Sequence, residues 1–248
     1  MIERTEDNHI LTLRFAHGKA SAMDVELLQA LDRELDAIGD ARAVILTGTG
    51  SIFSAGVDLF RLVDAGAGYV REFFPLLRDV IRKLFALPLP VVAAANGHAI
   101  AGGCIVVCAS DIRLMADGNG RIGVAELLVG VPFPAAALEI VRFAVPARVQ
   151  QLVYSGATLP PHEALAAGFV DEVVEPAKLL ERANEVARQL AAIPPEAFRL
   201  TKQHLRADAL ERMQRIGDRQ DHEALAVWSD SATHQRIRDY LARTVRKS

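Results

Sequence analysis

Hydrophobic positions along the chain fall into two kinds of run that take turns. Ile10-Leu11-Thr12-Leu13-Arg14-Phe15 alternates imperfectly and predicts a strand. From Asp24, a suitable N-cap, Leu28, Leu31, Leu35 and Ile38 recur down one side of a helix. Ala43 to Thr47 is short, continuous and apolar, as a strand covered on both faces must be, and Gly48, Gly50 and Gly56 then predict a loop. Val70, Phe73, Phe74, Leu77, Val80, Ile81 and Leu84 give a second helix. Pro75 either kinks that helix or sits in its first turn, and Pro88 and Pro90 end it. Val91 to Ala95 repeats the buried-strand pattern, Asn96-Gly97 makes a turn, and a third helix opens at Gly102. Asp111 to Ala116 and Phe169 to Val174 read as further strands. Such alternation predicts the α/β class with a largely parallel sheet.

The second half is mostly helical, and Pro194-Pro195 is its clearest break. The expected organisation is a core over 1–195 and a helical C-terminal region over 196–248, closing with a helix capped by Ser231. No internal repeat or low-complexity tract is visible.

Composition narrows the classes. A chain of 248 residues, 51% hydrophobic and 24% charged, can bury a substantial core and is not of the disordered type. Lys and Arg number 28 against 31 Asp and Glu, net −3, so no nucleic-acid partner is expected. The polar start MIERTEDNHI is unlike a signal peptide, and no apolar run approaches the roughly 20 residues of a membrane span; a cytoplasmic protein without a membrane partner is expected. Cys104 and Cys108, four apart in a helical stretch, read as small buried hydrophobes. The seven histidines show no ligand spacing, and no metal is expected.

Candidate chemistry sits in two glycine-bearing turns, each straight after a buried strand. Phe53-Ser54-Ala55-Gly56-Val57-Asp58-Leu59 lets the backbone approach a ligand and turns into a helix whose first N–H groups lack partners. Asn96-Gly97-His98-Ala99-Ile100-Ala101-Gly102-Gly103-Cys104 opens a helix with two glycines, where free donors and the positive dipole end coincide. Close approach of a ligand explains these glycines, and so does close packing against another element. Two turns on one sheet can aim N–H groups at a single point, the geometry of an oxyanion hole. Neither is a nucleotide fingerprint, since Gly48-Thr49-Gly50 lacks a third glycine and no GKS or GKT occurs.

FSAGVDL followed by ANGHAIAGGC resembles the paired oxyanion-hole signature of the crotonase (enoyl-CoA hydratase/isomerase) superfamily. The resemblance runs from about Arg14 to Arg206 and takes in Gly123-Val124-Ala125-Glu126 and TLPPHEALAAGFVDEVVE. It implies a spiral of ββα repeats with a C-terminal helical appendage, an acyl-CoA thioester substrate, no separate cofactor, and homotrimers or pairs of trimers. Carried over by position, the oxyanion donors are the backbone N–H groups of Val57 and Gly102. Lys19 and Ala55 fall where the family meets CoA, Arg61 is a further candidate for the phosphates, and Gly56, Asp58, Gly103, Ile105 and Phe133 are expected around the acyl-CoA site. Phe133 and the Phe73/Phe74 helix are either pocket wall or plain core, and His98 is expected to cap a turn or to pack.

Members of this superfamily share an enolate and differ in the acids around it. Hydratases resemble one another in using two glutamates. Here the first of these positions is Ile105 and the second is Glu126. Adding water suits two carboxylates, whereas moving a double bond from carbon 3 to carbon 2 needs one base that removes a proton and returns it. The context resembles the Δ3,Δ2-enoyl-CoA isomerases, with Glu126 as base, its pKa raised by Ile105, Val131 and Phe133. An enoyl-CoA hydratase is the alternative reading, and a non-catalytic acyl-CoA binder a second. No acid occurs in Val131-Pro132-Phe133-Pro134, which disfavours dienoyl-CoA isomerase and dehalogenase chemistry.

Overall fold

A computed structural model describes residues 1–244. Strand β1 (Ile2–Asp7) pairs antiparallel with β2 (Ile10–Phe15) across Asn8 and His9, whose φ values of 49° and 62° suit the tight turn of a hairpin. Hydrophobic patterning does not reveal β1, because five of its six residues are exposed on a charged edge strand. From β2 inward the sheet is parallel, in the order β2, β3 (Ala43–Thr47), β5 (Val91–Ala95), β7 (Ile112–Ala116) and β9 (Glu172–Val174). Of the stretch from Phe169, only Glu172 to Val174 is strand; Phe169 and Val170 are buried in the turn before it.

After β3, β5 and β7 the chain crosses to a second, three-stranded parallel sheet, formed by β4 (Ile52–Ser54), β6 (His98–Ile100) and β8 (Ile122–Gly123). Each of these short strands leads to a helix: α2 (Leu59–Ala86), α3 (Gly102–Ala109) and α4 (Ala135–Ala144). Three turns of strand, strand and helix therefore wind as a spiral. Their helices have 28, 8 and 10 residues, so no fixed period survives in the sequence.

Helix α1 (Val25–Asp36) starts as the N-cap pattern predicts, with Asp24 Oδ1 accepting the Leu27 N–H at 2.8 Å. In α2 the break falls at Gly66, whose φ is 74°, and not at Pro75 nine residues later, whose backbone stays helical. Helices α5 (Val149–Ser155) and α6 (Pro161–Ala167) follow α4, and α7 (Leu179–Ala191) covers one face of the large sheet with Leu179, Ala183 and Ala187.

Two helices complete the described chain, α8 (Pro195–Ser229) and α9 (Ser231–Thr244); the last four residues of the 196–248 region lie outside the described residues. Asp230, and not Ser231, caps α9, its Oδ2 accepting the Thr233 N–H at 3.1 Å. The aspartate sits one residue earlier, where its carboxylate reaches the first free amides. Helix α8 is tied down by buried polar groups. Lys202 and Arg206 share Asp111 at 2.6 and 2.8 Å, and Asp221 Oδ1 accepts the first N–H of α4, that of Ala135, at 2.7 Å. Met213, Trp228 and Ile237 join the same core cluster as α1 to α4.

Candidate active site

The two glycine turns leave the small sheet side by side. Met23 N–H donates to Gly56 O at 2.7 Å, and Asp58 N–H donates to Met23 O at 2.9 Å. In a parallel bridge the residue between those two points its own N–H to the opposite side. That residue is Val57, and among the described residues its N–H has no backbone acceptor. In the second turn, Ala101 adopts φ 49° and ψ −118°, a conformation that favours glycine, and α3 begins immediately after it. The N–H of Gly102 stands at the start of that helix, likewise without a backbone acceptor among the described residues.

Glycine is required where the turns touch. A Cβ on Gly56 would stand 2.6 Å from Ile100 O and 3.0 Å from Gly102 N. One on Gly103 would meet Ser54 O at 2.4 Å. Turn-against-turn packing thus accounts for much of the glycine pattern, and the same closeness brings the Val57 and Gly102 backbones into one neighbourhood. Asn96 latches the arrangement from behind, accepting from Gly48 N–H at 2.8 Å and donating to Gly50 O at 2.9 Å.

In front of the turns lies a cavity of about 150 Å3, lined by Val57, Ala101, Glu126, Val131, Trp228 and Tyr240 among others, with exposed Ala55 at its rim. Glu126 opens a short 3-10 turn, Glu126–Val129, and is only 6% exposed. Loss of water pushes its carboxyl up to about 8, opposed only by its own backbone N–H. Its Oε2 is buried with no hydrogen-bond partner among the described residues. A buried acid oxygen left bare, facing an apolar cavity, calls for something that enters the cavity to explain it.

The remaining expected residues are distributed differently. Ile105 is 2% exposed inside α3, and Phe133 lines a neighbouring groove instead of the cavity; of the side chains expected to desolvate Glu126, Val131 is the one that lines the cavity. Asp58 caps α2, accepting the Arg61 N–H at 3.0 Å. The Arg61 guanidinium is engaged by Glu26 at 2.5 Å and Asp24 at 3.3 Å, and it lies over the Tyr69 ring. Lys19 is exposed on the loop before α1. His98 is half-buried in β6, where its N–H donates to Ser51 O. Cys104 and Cys108 are buried with their sulfurs 4.0 Å apart. The fold also gathers exposed Glu6, His9 and Asp40, their ligand atoms within 4.8 Å of one another, a grouping no linear spacing announces.

Sequence reasoning missed Trp228 and Tyr240. Both come from the C-terminal helices, about a hundred residues beyond Glu126, and no local pattern links them to the turns. The one available signal is that Trp228 is the single tryptophan of the chain, set near the end of a helix.

The sequence matches the enoyl-CoA hydratase/isomerase family model over residues 6–238. The chain belongs to this family. A Thermus thermophilus protein, provisionally named an enoyl-CoA hydratase, is 37% identical over 75% of this chain and 74% of its own length. Among solved structures, human mitochondrial delta3-delta2-enoyl-CoA isomerase superposes with a TM-score of 0.94 at 25% identity, covering 100% of this chain and 99% of that one. An enoyl-CoA hydratase of Mycobacterium ulcerans gives a TM-score of 0.84 at 32% identity, covering 90% of this chain and 98% of that one. The spiral is thus the crotonase fold, and the proteins it resembles include both hydratases and an isomerase by name.

Proposed function

We propose that the protein is a Δ3,Δ2-enoyl-CoA isomerase with Glu126 as its single base. The observation that supports this reading is one carboxylate, with an oxygen unpartnered among the described residues, in an apolar cavity beside both turns, with aliphatic Ile105 where hydratases keep a second acid. The thioester oxygen would sit against the Val57 and Gly102 N–H groups. Glu126 takes a proton from carbon 2, the electron pair spreads through the enolate to the thioester oxygen, and the two amides bear its charge. The same carboxyl then returns its proton at carbon 4, leaving the double bond between carbons 2 and 3. Atoms balance with no co-reactant. A base whose conjugate acid titrates near 8 suits both halves, since it must accept and release one proton near neutral pH. Loss of one such amide donor typically costs about 3–4 kcal/mol of transition-state stabilisation.

The CoA phosphates are assigned to Lys19, which is exposed, in preference to Arg61, whose guanidinium two carboxylates already hold. Exposed apolar side chains such as Leu128, Phe143, Tyr154 and Leu205 support association into trimers or pairs of trimers.

The identities to proteins named hydratases favour a second reading, in which Glu126 alone activates water for addition to a 2-enoyl thioester. Giving crotonyl-CoA and a 3-enoyl-CoA to one preparation separates the two. Double-bond migration faster than hydration is the expected result. Fast hydration with negligible migration overturns the proposal in favour of the hydratase, and tight thioester binding without turnover of either substrate overturns both in favour of a binder.

A further inference from the structure

The cavity that holds Glu126 is not the largest space near it. A groove of about 460 Å3 runs alongside, with Leu127, Pro132, Phe133, Val153, Tyr154 and Val227 among its lining. The two spaces share a wall built from neighbouring residues. Val131 and Trp228 face the cavity, while Pro132 and Val227, each next in sequence to one of them, face the groove. Trp228 Nε1 donates to Pro132 O at 2.7 Å, which stitches the two halves of the wall together.

We propose that Trp228 is a specificity-determining residue, a partition that ends the acyl pocket and restricts the enzyme to short acyl thioesters of about four to six carbons. This rests on the acyl-CoA reading of the cavity given above. Its volume is small: a closed apolar cavity of about 150 Å3 holds a benzene-sized ligand, about six carbons, and this pocket of similar volume, open at its mouth, must also admit the thioester carbonyl. A longer chain would need the groove behind the wall, and the wall does not yield easily. Trp228 is 1% exposed, its ring 6.4 Å from Phe73 in a stacked arrangement and 5.5 Å from Phe74 edge-on. His234 Nε2 lies 2.8 Å from the Trp228 carbonyl oxygen, fixing the backbone at the end of α8. Swinging the indole aside would strip its N–H of a partner inside the protein, which such groups rarely tolerate. With the indole removed, the wall opens toward a space roughly three times larger on the far side.

Calorimetric binding of butyryl-, hexanoyl- and decanoyl-CoA to the full chain tests the partition without relying on turnover. Wild type is expected to bind the four- and six-carbon thioesters at least tenfold tighter than the ten-carbon one. Trp228→Ala should reduce that ratio tenfold or more, and Trp228→Phe, which keeps most of the bulk, should leave it within threefold. Decanoyl-CoA binding to wild type as tightly as hexanoyl-CoA overturns the inference even if no variant folds. An unchanged ratio in a folded Trp228→Ala protein overturns it as well. The isomerase reading fails separately: chain-length discrimination intact with no double-bond migration at any length would sink that reading and leave the partition standing.

Discussion

Two buried glutamates, thirteen residues apart, live under opposite rules. Glu139 in α4 is 2% exposed and doubly paired, with Arg212 at 2.6 Å and Arg142 at 3.0 Å. Glu126 is 6% exposed and, among the described residues, has no ionic partner and one oxygen without a hydrogen bond. A paired acid of this kind ties α4 to α8 and is spoken for by structure. An unpaired one is costly to bury, and its placement in an apolar cavity is explicable by a reaction that uses it. Burial alone therefore does not single out a carboxylate in this molecule; Glu126 differs from Glu139 in lacking a cationic partner among the described residues and in standing on a cavity wall.

The largest effect should come from removing the bare acid. Glu126→Gln is expected to lower isomerisation about 1000-fold, within the usual contribution of a positioned base, while leaving the fold intact. Turnover within tenfold of wild type would remove Glu126 from the chemistry. The pH profile is next. As the proposed base, Glu126 would have to be ionised to act, so log kcat/KM for the free enzyme should rise about one unit per pH unit and level off near 8. A flat profile between pH 6 and 9 would count against a buried base. Stability runs the other way. A carboxyl raised from 4.5 to about 8 in the folded state contributes stability fully below 4.5 and loses it as pH rises through 8. Wild type should therefore lose ground to Glu126→Gln across that window in thermal melts, and parallel melting curves would contradict it.

Glu139→Gln sharpens the contrast from the other side. It should cost about 2 kcal/mol of folding stability through weakened charge-assisted bonds to Arg212 and Arg142, with kcat within twofold of wild type. A large loss of kcat at unchanged stability would erase the distinction between the two acids. The smallest effect is expected at Ala101, whose φ of 49° favours glycine. Ala101→Gly should change stability by about 1 kcal/mol or less, strain relief being partly offset by a more flexible unfolded chain, and denaturant midpoints would register it.

Much of this is legible in the sequence, and the reasons are local. Ala43–Thr47 and Val91–Ala95 are buried on both faces, so their apolar runs carry the central strands openly. The two turns were legible because tight backbone contact demands glycine, although part of that demand comes from turn meeting turn. Strand β1 was hidden because an edge strand exposed to water need not be hydrophobic. The short strands β4, β6 and β8 were hidden because two or three residues are too few to show alternation. Arg61 looked available as a cation, yet Glu26 and Asp24 reach it from α1 and its cap, a meeting visible only in three dimensions. Trp228 and Tyr240 were out of reach for the same reason.

Helix α8 has a consequence in time. Its 35 residues span about 52 Å, and the indole that seals the cavity rides near its far end. Translation at roughly 5–20 residues per second delivers Trp228 some 5–20 s after Glu126 has left the ribosome tunnel's supply point. During that interval the cavity wall that Trp228 supplies is missing from beside the glutamate. The dry setting behind its raised pKa is therefore completed only when the closing helix docks.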